Sequence, residues 1–326
     1  MRKITRRSFL AASLAATAAG VLSGCDAALS ASGFTVGISQ LVQHDALDAA
    51  TLGFRDQLSA RAEEAGVEAV FDEQNASGET ANCSTIANGF VAAGVDLIMA
   101  NATGALQAAV SATGEIPILG TSVTEYGVAL GIDNFDGLVG TNVSGCSDLA
   151  PLDEQAAMLT TIFPDAATVG LLYCSAEANS QYQVDVIQDY LEADGIVCTQ
   201  YSFADTNDVT SVTQSACASS DVIYVPTDNT VASNTEAINN VCQPSGVPII
   251  AGEESICGGC GVATLTISYY DLGVATGEMA ARILIDGEDI STMPIEYAAE
   301  FTPKYNATLC EVFDITPPSD YVAIEA

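Results

Sequence analysis

Short apolar runs alternate with longer amphipathic stretches along most of this chain. Residues 34–39 (FTVGIS) form an apolar, β-branched run of the kind expected for a strand covered on both faces. Residues 46–66 then place Leu47, Phe54, Leu58 and Ala62 on one face at helical spacing. The alternation continues with a strand at 67–71, a loop at 72–78, a helix at 80–93 and a strand at 95–100. A helix at 105–113 and a strand at 116–119 follow. This βαβαβαβ order predicts a right-handed, doubly wound parallel sheet. Residues 131–151 are irregular and rich in Gly, Asn, Asp and Ser, and read as a crossover. After a helical stretch at 155–161 the pattern restarts, with strands at 168–174, 196–201, 222–225 and 247–251 and helices at 181–194, 209–218 and 231–242 between them. Residues 271–284 are strongly helical and are expected to pack back on the first unit, leaving 297–326 for the final strands and crossovers. The fold class is α/β: two doubly wound parallel-sheet lobes in tandem, with a cleft between them.

Ligands of open α/β sheets sit outside the carboxyl ends of the strands. The stretch DVIYVPTDNTVAS (221–233) is the most informative such end. Its apolar run is stopped by Pro226, and Thr227, Asp228, Asn229 and Thr230 crowd the point where the strand stops. That delivers one carboxylate and several neutral hydrogen-bonding groups to a ligand position; the same residues also suit an ordinary turn that caps a helix. Corresponding ends in the first lobe carry Ser39 and Gln40, Asn101 and Thr103, and Ser122 and Thr124. In the second they carry Glu177, Asn179 and Ser180, then Thr227 to Asn229, then Glu253 and Glu254. Small neutral groups dominate, the acids lie on one lobe, and no Lys or Arg stands at any of these ends. That asymmetry suits a zwitterion, with hydroxyls and helix amino ends for a carboxylate and an acid for an ammonium. It argues against phosphorylated or dianionic ligands.

The charge balance narrows the partners. The 326 residues hold 8 Lys+Arg against 42 Asp+Glu, a net charge of −34. Such a surface repels phosphate backbones and anionic headgroups, so no nucleic-acid partner is expected. Hydrophobic content of 49% with 27 glycines fits α/β lobes. No stretch after the amino terminus is long and apolar enough to predict an internal transmembrane helix. Residues 1–25 read as a signal peptide: Arg2, Lys3, Arg6 and Arg7 precede an apolar, small-residue stretch at 8–22. Thr5-Arg6-Arg7-Ser8-Phe9-Leu10 resembles a twin-arginine export signal, and Leu22-Ser23-Gly24-Cys25 resembles a bacterial lipobox. Cys25 would then carry lipid and anchor the protein to the extracytoplasmic face of the cell membrane, with 26–33 as a tether.

The chain has 10 cysteines. Besides Cys25 these are Cys83, Cys146, Cys174, Cys198, Cys217, Cys242, Cys257, Cys260 and Cys310. Disulfides are expected outside the cytoplasm, and an odd number leaves at least one thiol unpaired or paired between chains. Cys257-Gly258-Gly259-Cys260 is read as a local disulfide, a redox pair, free thiols or half a metal site; a metal site would want a second pair nearby, and the only histidine is His44. His44 follows the first strand, as a solvated loop residue or at the cleft entrance. No Ser/His/Asp set and no phosphate-cradling Gly loop with a Lys is present. No catalytic residue, cofactor or metal is expected, with Glu253–Glu254 the one carboxylate pair available for acid–base work.

Several motifs stand in order along the chain: Val36-Gly37-Ile38-Ser39-Gln40, Ser147-Asp148-Leu149, Ser175-Ala176-Glu177-Ala178-Asn179-Ser180, YVPTDNTVAS (224–233), Ala251-Gly252-Glu253-Glu254 and Ile267-Ser268-Tyr269-Tyr270-Asp271-Leu272-Gly273. Together they resemble the ABC-transporter substrate-binding lipoproteins related to tryptophan- and tyrosine-binding proteins. The chain departs from that pattern at Cys146 and Ser268. The resemblance implies a type I periplasmic-binding-protein fold whose lobes, joined by a multi-strand hinge, close on a ligand. It implies lobes of 34–146 with 269–296 and of 147–268 with 297–326. It also implies a small amino acid, aromatic in many relatives, as ligand, and delivery to a membrane permease driven by an ATPase. Carried over by position, Thr103 and Thr124 hold the ligand carboxylate and Asp228 its ammonium. Asn179, Ser180 and Asn229 orient these groups, and Gln40, Glu253 and Tyr269 complete the site. With no Trp in the chain, stacking would come from Tyr or Phe. The competing expectations are an extracellular ligand sensor and a redox or hydrolytic enzyme on the same fold, with the CGGC stretch or Glu253–Glu254 as working groups.

Overall fold

The computed structural model describes residues 33–324. The signal peptide, the lipobox with Cys25 and nearly all of the tether lie outside the described residues.

The first half of the chain runs β1 (Phe34–Gln40), α1 (Asp45–Ala65), β2 (Ala69–Asn75), α2 (Thr80–Ala93), β3 (Leu97–Asn101), α3 (Thr103–Ala112), β4 (Ile118–Val123), α4 (Tyr126–Leu130) and β5 (Val143–Ser147). The second runs α5 (Leu152–Ile162), β6 (Thr168–Cys174), α6 (Ala178–Ala193), β7 (Val197–Phe203), α7 (Val209–Cys217), β8 (Val222–Val225), α8 (Asn229–Ala232), α9 (Thr235–Ser245), β9 (Ile249–Ala251), α10 (Glu254–Cys260) and β10 (Ala263–Thr266). Then come α11 (Tyr269–Leu284), β11 (Glu296–Tyr297), β12 (Thr302–Tyr305), α12 (Ala307–Val312) and β13 (Val322–Ala323).

Two sheets result, with strand orders β11-β5-β4-β3-β1-β2 and β13-β12-β10-β9-β8-β6-β7. The order second-first-third-fourth-fifth recurs in both, so each is wound from one strand outward in both directions, as the alternating pattern predicts. Every pair is parallel except β10 with β12. The chain passes between sheets after β5, after β10 and after β11.

Each sheet has a separate apolar cluster on either face. Val36, Phe54, Leu97 and Met279 belong to one in the first sheet, and Ile98, Leu106 and Tyr126 to the other. In the second sheet the pair is represented by Leu171, Tyr224 and Leu265 on one face and by Ile223, Ile249 and Ile256 on the other. Helix α11 lies against α1 nearly backbone to backbone. A Cβ at Gly273 would collide with the carbonyl oxygen of Ala50, and one at Gly53 with that of Tyr270. This seam ties the last crossing segment to the first sheet.

The differences from the sequence reading have local causes. Strand β2 runs on through Asn75, where a loop was expected, because at a sheet edge Asp72 and Gln74 can point to water while the ladder to β1 continues. The helix expected at 231–242 is two pieces, broken at Ser233 and Asn234. Helix α10 falls in a stretch with too little apolar periodicity to reveal it, and is started by Glu253 accepting from Ser255 N and Ile256 N. No helix among the described residues is long and apolar enough to cross a membrane.

Candidate functional site

The carboxyl ends of the two sheets face each other across a narrow gap. At its centre is a small cavity lined by His44, Leu47, Ser122, Thr124, Asp148 and Tyr269 on one side and by Asn179, Thr227, Asp228, Asn229, Ala232 and Glu253 on the other. Only about 10 Å³ is open to the centre of a water-sized sphere, room for roughly one water molecule. The gap widens to a cleft of about 820 Å³ beside α10 and Tyr270, and to one of about 370 Å³ between α2, Thr103 and Glu177.

The first-sheet side carries unfinished polar groups. Asp148 follows directly on β5 and is 3% exposed. Its Oδ2 accepts from the Tyr269 hydroxyl at 3.0 Å, whereas its Oδ1 has no partner. Burial pushes the carboxyl up to about 6, against the pull of hydrogen bonds from Thr124 and Tyr269. Ser122 sits at the end of β4, where the register with β5 slips, and has φ +53°. A left-handed serine at a buried strand end is a strained arrangement, and its hydroxyl is also without a partner. His44, just before α1, reaches across the gap: its Nε2 lies 3.2 Å from Asn229 Oδ1, and its buried Nδ1 is unpaired.

The second-sheet side is almost the reverse. Asp228 Oδ2 accepts from Cys174 N at 2.7 Å and Oδ1 from Val231 N at 2.8 Å, so both oxygens are engaged by backbone. Burial, then the neighbouring Glu177 carboxylate, pushes Asp228 up to about 8. Glu177 accepts from the backbone N–H and side chain of both Asn229 and Thr230, at 2.7–3.1 Å. Glu253 accepts from Ser255 N, Ser255 Oγ and Ile256 N at 2.6–2.7 Å. Asn179 donates to Thr227 O, and the Gln183 amide both donates to Thr227 O and accepts from Thr227 N, fixing that turn.

Of the residues expected from sequence, Thr124, Asn179, Asp228, Asn229, Glu253 and Tyr269 line the central cavity. Gln40 does not: its amide binds Val42 O, Asp48 and Thr51, joining the end of β1 to α1. Thr103 faces the outer cleft. Ser180 is fully buried, accepts from Asn179 Nδ2 at 3.3 Å and does not line the cavity. Ser122 and Thr227, strand-end groups to which the sequence assigns no individual role, also line it, as does Asp148, which the strand-end rule does not reach. Asp148 falls in the irregular stretch between the lobes, where only the Ser147-Asp148-Leu149 motif marks it. The expectation that the acids lie on one lobe is corrected by Asp148, which follows a strand of the other sheet.

The cysteine and carboxylate alternatives fare differently. All nine described cysteines are free thiols. The bridge expected between Cys257 and Cys260 is not formed; both sulfurs are buried in the apolar cluster beneath α10, and that burial raises both thiols. Glu253 is a helix cap and Glu254 is paired with Lys304 at 2.6 Å, so neither is free for acid–base work.

The comparisons bear on this geometry directly. Residues 35–325 match the family described as ABC transporter substrate binding protein. A tyrosine-binding protein of Clostridioides difficile is 35% identical over 260 residues, which cover 80% of this chain and 75% of that protein. The structure of an ABC domain in complex with L-Trp from Streptococcus pneumoniae aligns with TM-score 0.83 at 30% identity, over 89% of this chain and 100% of that one. The ligand-free, open structure of a substrate binding protein with adhesive properties from Clostridium difficile is 34% identical, over 90% of this chain and 99% of that one, yet aligns with TM-score 0.68. The relative nearer in sequence is thus farther in shape. A narrow gap between the sheets agrees with the closer fit to the complex than to the open form. The chain has the type I periplasmic-binding-protein fold and belongs to the family of ABC transporter substrate binding proteins.

Proposed function

We propose that this protein is the extracytoplasmic, lipid-anchored receptor of an ABC importer, and that the central cavity takes a free α-amino acid, aromatic by preference. The observation that carries this reading is the pairing of Asp148 Oδ1, a buried acceptor without a donor, with Ser122 Oγ, a buried hydroxyl without a partner, on one wall of a cavity that no Lys or Arg lines. An ammonium fits the first group and a carboxylate fits the second. Asp228, Asn179, Asn229 and Glu253 form the opposite wall, and Tyr269 holds Asp148 in place. The wide cleft beside Ile267, Tyr269 and Tyr270 gives an aromatic side chain a direction in which to extend. The names of the relatives, one for tyrosine and one solved with L-Trp, support the same ligand class. With room for about one water molecule as it stands, the cavity must widen both to load and to hold the ligand, by hinge motion at the segments after β5, β10 and β11. In this reading Cys25 carries the lipid, the twin-arginine segment directs export, and a membrane permease receives the ligand.

The test is a calorimetric and thermal-shift screen of the protein against the free amino acids. Tyrosine, tryptophan or phenylalanine is expected to raise the melting temperature, with about 2.7 kcal/mol of added stability at 100 times the dissociation constant. A screen in which no amino acid shifts the transition, or in which the ligand is consumed, overturns the reading.

A further inference from the structure

Outside the site, two cysteine thiols among the described residues meet where helices α7 and α9 pack together beside the second sheet. Cys217 is the last residue of α7 and Cys242 lies in the final turns of α9, which packs alongside it. Their sulfurs are 3.5 Å apart. Neither residue lines the central cavity or the two clefts beside it. We infer that Cys217 and Cys242 form a thiol–disulfide site, at which a small-molecule disulfide converts the pair into a reversible cross-link between α7 and α9.

The geometry suits that chemistry in three ways. A disulfide needs its sulfurs at about 2.0 Å, and Cys217 ends its helix just before the turn at 218–220, where a small shift is easily absorbed. The two thiols are also unequal. Cys217 is half-buried and within reach of a reagent, while Cys242 is 1% exposed. The contact between the two sulfurs lowers the Cys217 thiol, whereas the same contact and burial push Cys242 up. Finally, other cysteines are engaged elsewhere: Cys146 with Met279 Sδ, Cys174 with Ala204 O and Cys310 with Val262 O.

The reaction balances with a dialkyl disulfide such as oxidised glutathione as oxidant. The Cys217 thiolate attacks one sulfur of the reagent, breaking its S–S bond, forming a mixed disulfide and releasing one thiolate. Cys242 then gives up its proton and attacks Cys217 Sγ, expelling the second thiolate. Two protein thiols are oxidised to one disulfide, and one small disulfide is reduced to two thiols. The closed loop contains β8, the turn with Thr227, Asp228 and Asn229, and α8. The cross-link would therefore fasten both flanks of one cavity wall.

The test treats the full chain with excess oxidised glutathione at pH 8, without denaturant, and maps a pepsin digest under non-reducing conditions. The expected product is a peptide pair joined through Cys217 and Cys242, in protein lighter by about 2 Da and melting about 5–10 °C higher, all reversed by dithiothreitol. Cys217→Ser is expected to fold, to keep the melting temperature of the reduced protein and to give no joined pair. The inference is overturned if both thiols still alkylate after treatment, or if glutathione remains on Cys217 without being displaced. It also fails if Cys257–Cys260 bridges in preference, or if Cys217→Ser loses two thiols as fast as the parent.

Discussion

The two walls of the cavity are built from sheets wound in the same order, yet they treat their polar groups in opposite ways. On the second-sheet wall, Asp228, Glu177 and Glu253 have their oxygens filled by backbone N–H groups and neighbouring side chains. On the first-sheet wall, Asp148 Oδ1, Ser122 Oγ and His44 Nδ1 have nothing to bind. Buried carboxylates on the two walls look alike in a sequence, but one set finishes the fold and the other is left incomplete. An unsatisfied buried polar group carries a desolvation penalty of about 1–3 kcal/mol, so its persistence points to a partner supplied from outside. Burial and charge do not single out a ligand group; a vacant hydrogen-bonding position that also faces the cavity does, since Asn239 Oδ1 and Thr264 Oγ1 are vacant too but lie outside it.

The contrast can be broken most sharply by exchanging one acid at a time. Asp148→Asn is expected to weaken amino-acid binding by 100-fold or more, in line with about 2–5 kcal/mol for losing one member of a buried charge pair. The unliganded protein should melt no lower than the parent. Paired titration calorimetry and thermal melts check this, and loss of stability without loss of affinity would reverse the roles given to the two walls. Asp228→Ala is expected to do the opposite first, lowering stability by about 2–4 kcal/mol because Cys174 N and Val231 N lose their acceptor in the interior. Denaturant unfolding measures it.

pH sharpens the same comparison. Asp148 is raised to about 6 and Asp228 to about 8, both chiefly by burial. The native state then holds these protons more tightly than the unfolded chain, so the slope of unfolding free energy against pH is negative. The contribution of these two groups is complete below the unfolded carboxyl value near 4, and is lost as pH rises through about 6 for Asp148 and about 8 for Asp228. Asp148→Asn should remove the lower part of that decline in melts taken between pH 4 and 8. Binding of an ammonium runs the other way, strengthening up to about tenfold per pH unit below 6 and levelling above it. The smallest effect is expected from His44→Ala, which removes the contact with Asn229 across the gap. A loss of up to about tenfold in affinity, with little change in unliganded melting temperature, corresponds to about 0.5–1.5 kcal/mol for one hydrogen bond that forms on closure.

Much of this was legible in the chain itself. Alternating apolar runs and amphipathic stretches predict a doubly wound parallel sheet in each lobe, because a parallel strand buried on two faces must be apolar throughout and its crossover helix amphipathic. Strand-end positions also gave Thr124, Asn179, Asp228, Asn229 and Glu253, since that rule depends only on where each run stops. The sequence could not say which of those polar groups would be satisfied by the protein. Gln40 has the same chemistry as a ligand-binding amide, but its partners Asp48 and Thr51 come from the helix folded over it. Asp228 reads as a free acid until Cys174 N, from a neighbouring strand, is brought to its side. Asp148 reads as a crossover residue until β5 joins the first sheet and carries it to the gap.

Periodicity is a local property, set by which face of an element meets the core, and it therefore determined the layers and their order. Hydrogen-bond vacancy is a property of groups far apart in the chain. Only the tertiary structure decided which polar groups found partners, and it left Asp148 Oδ1 and Ser122 Oγ without one on the same wall of the gap between the sheets.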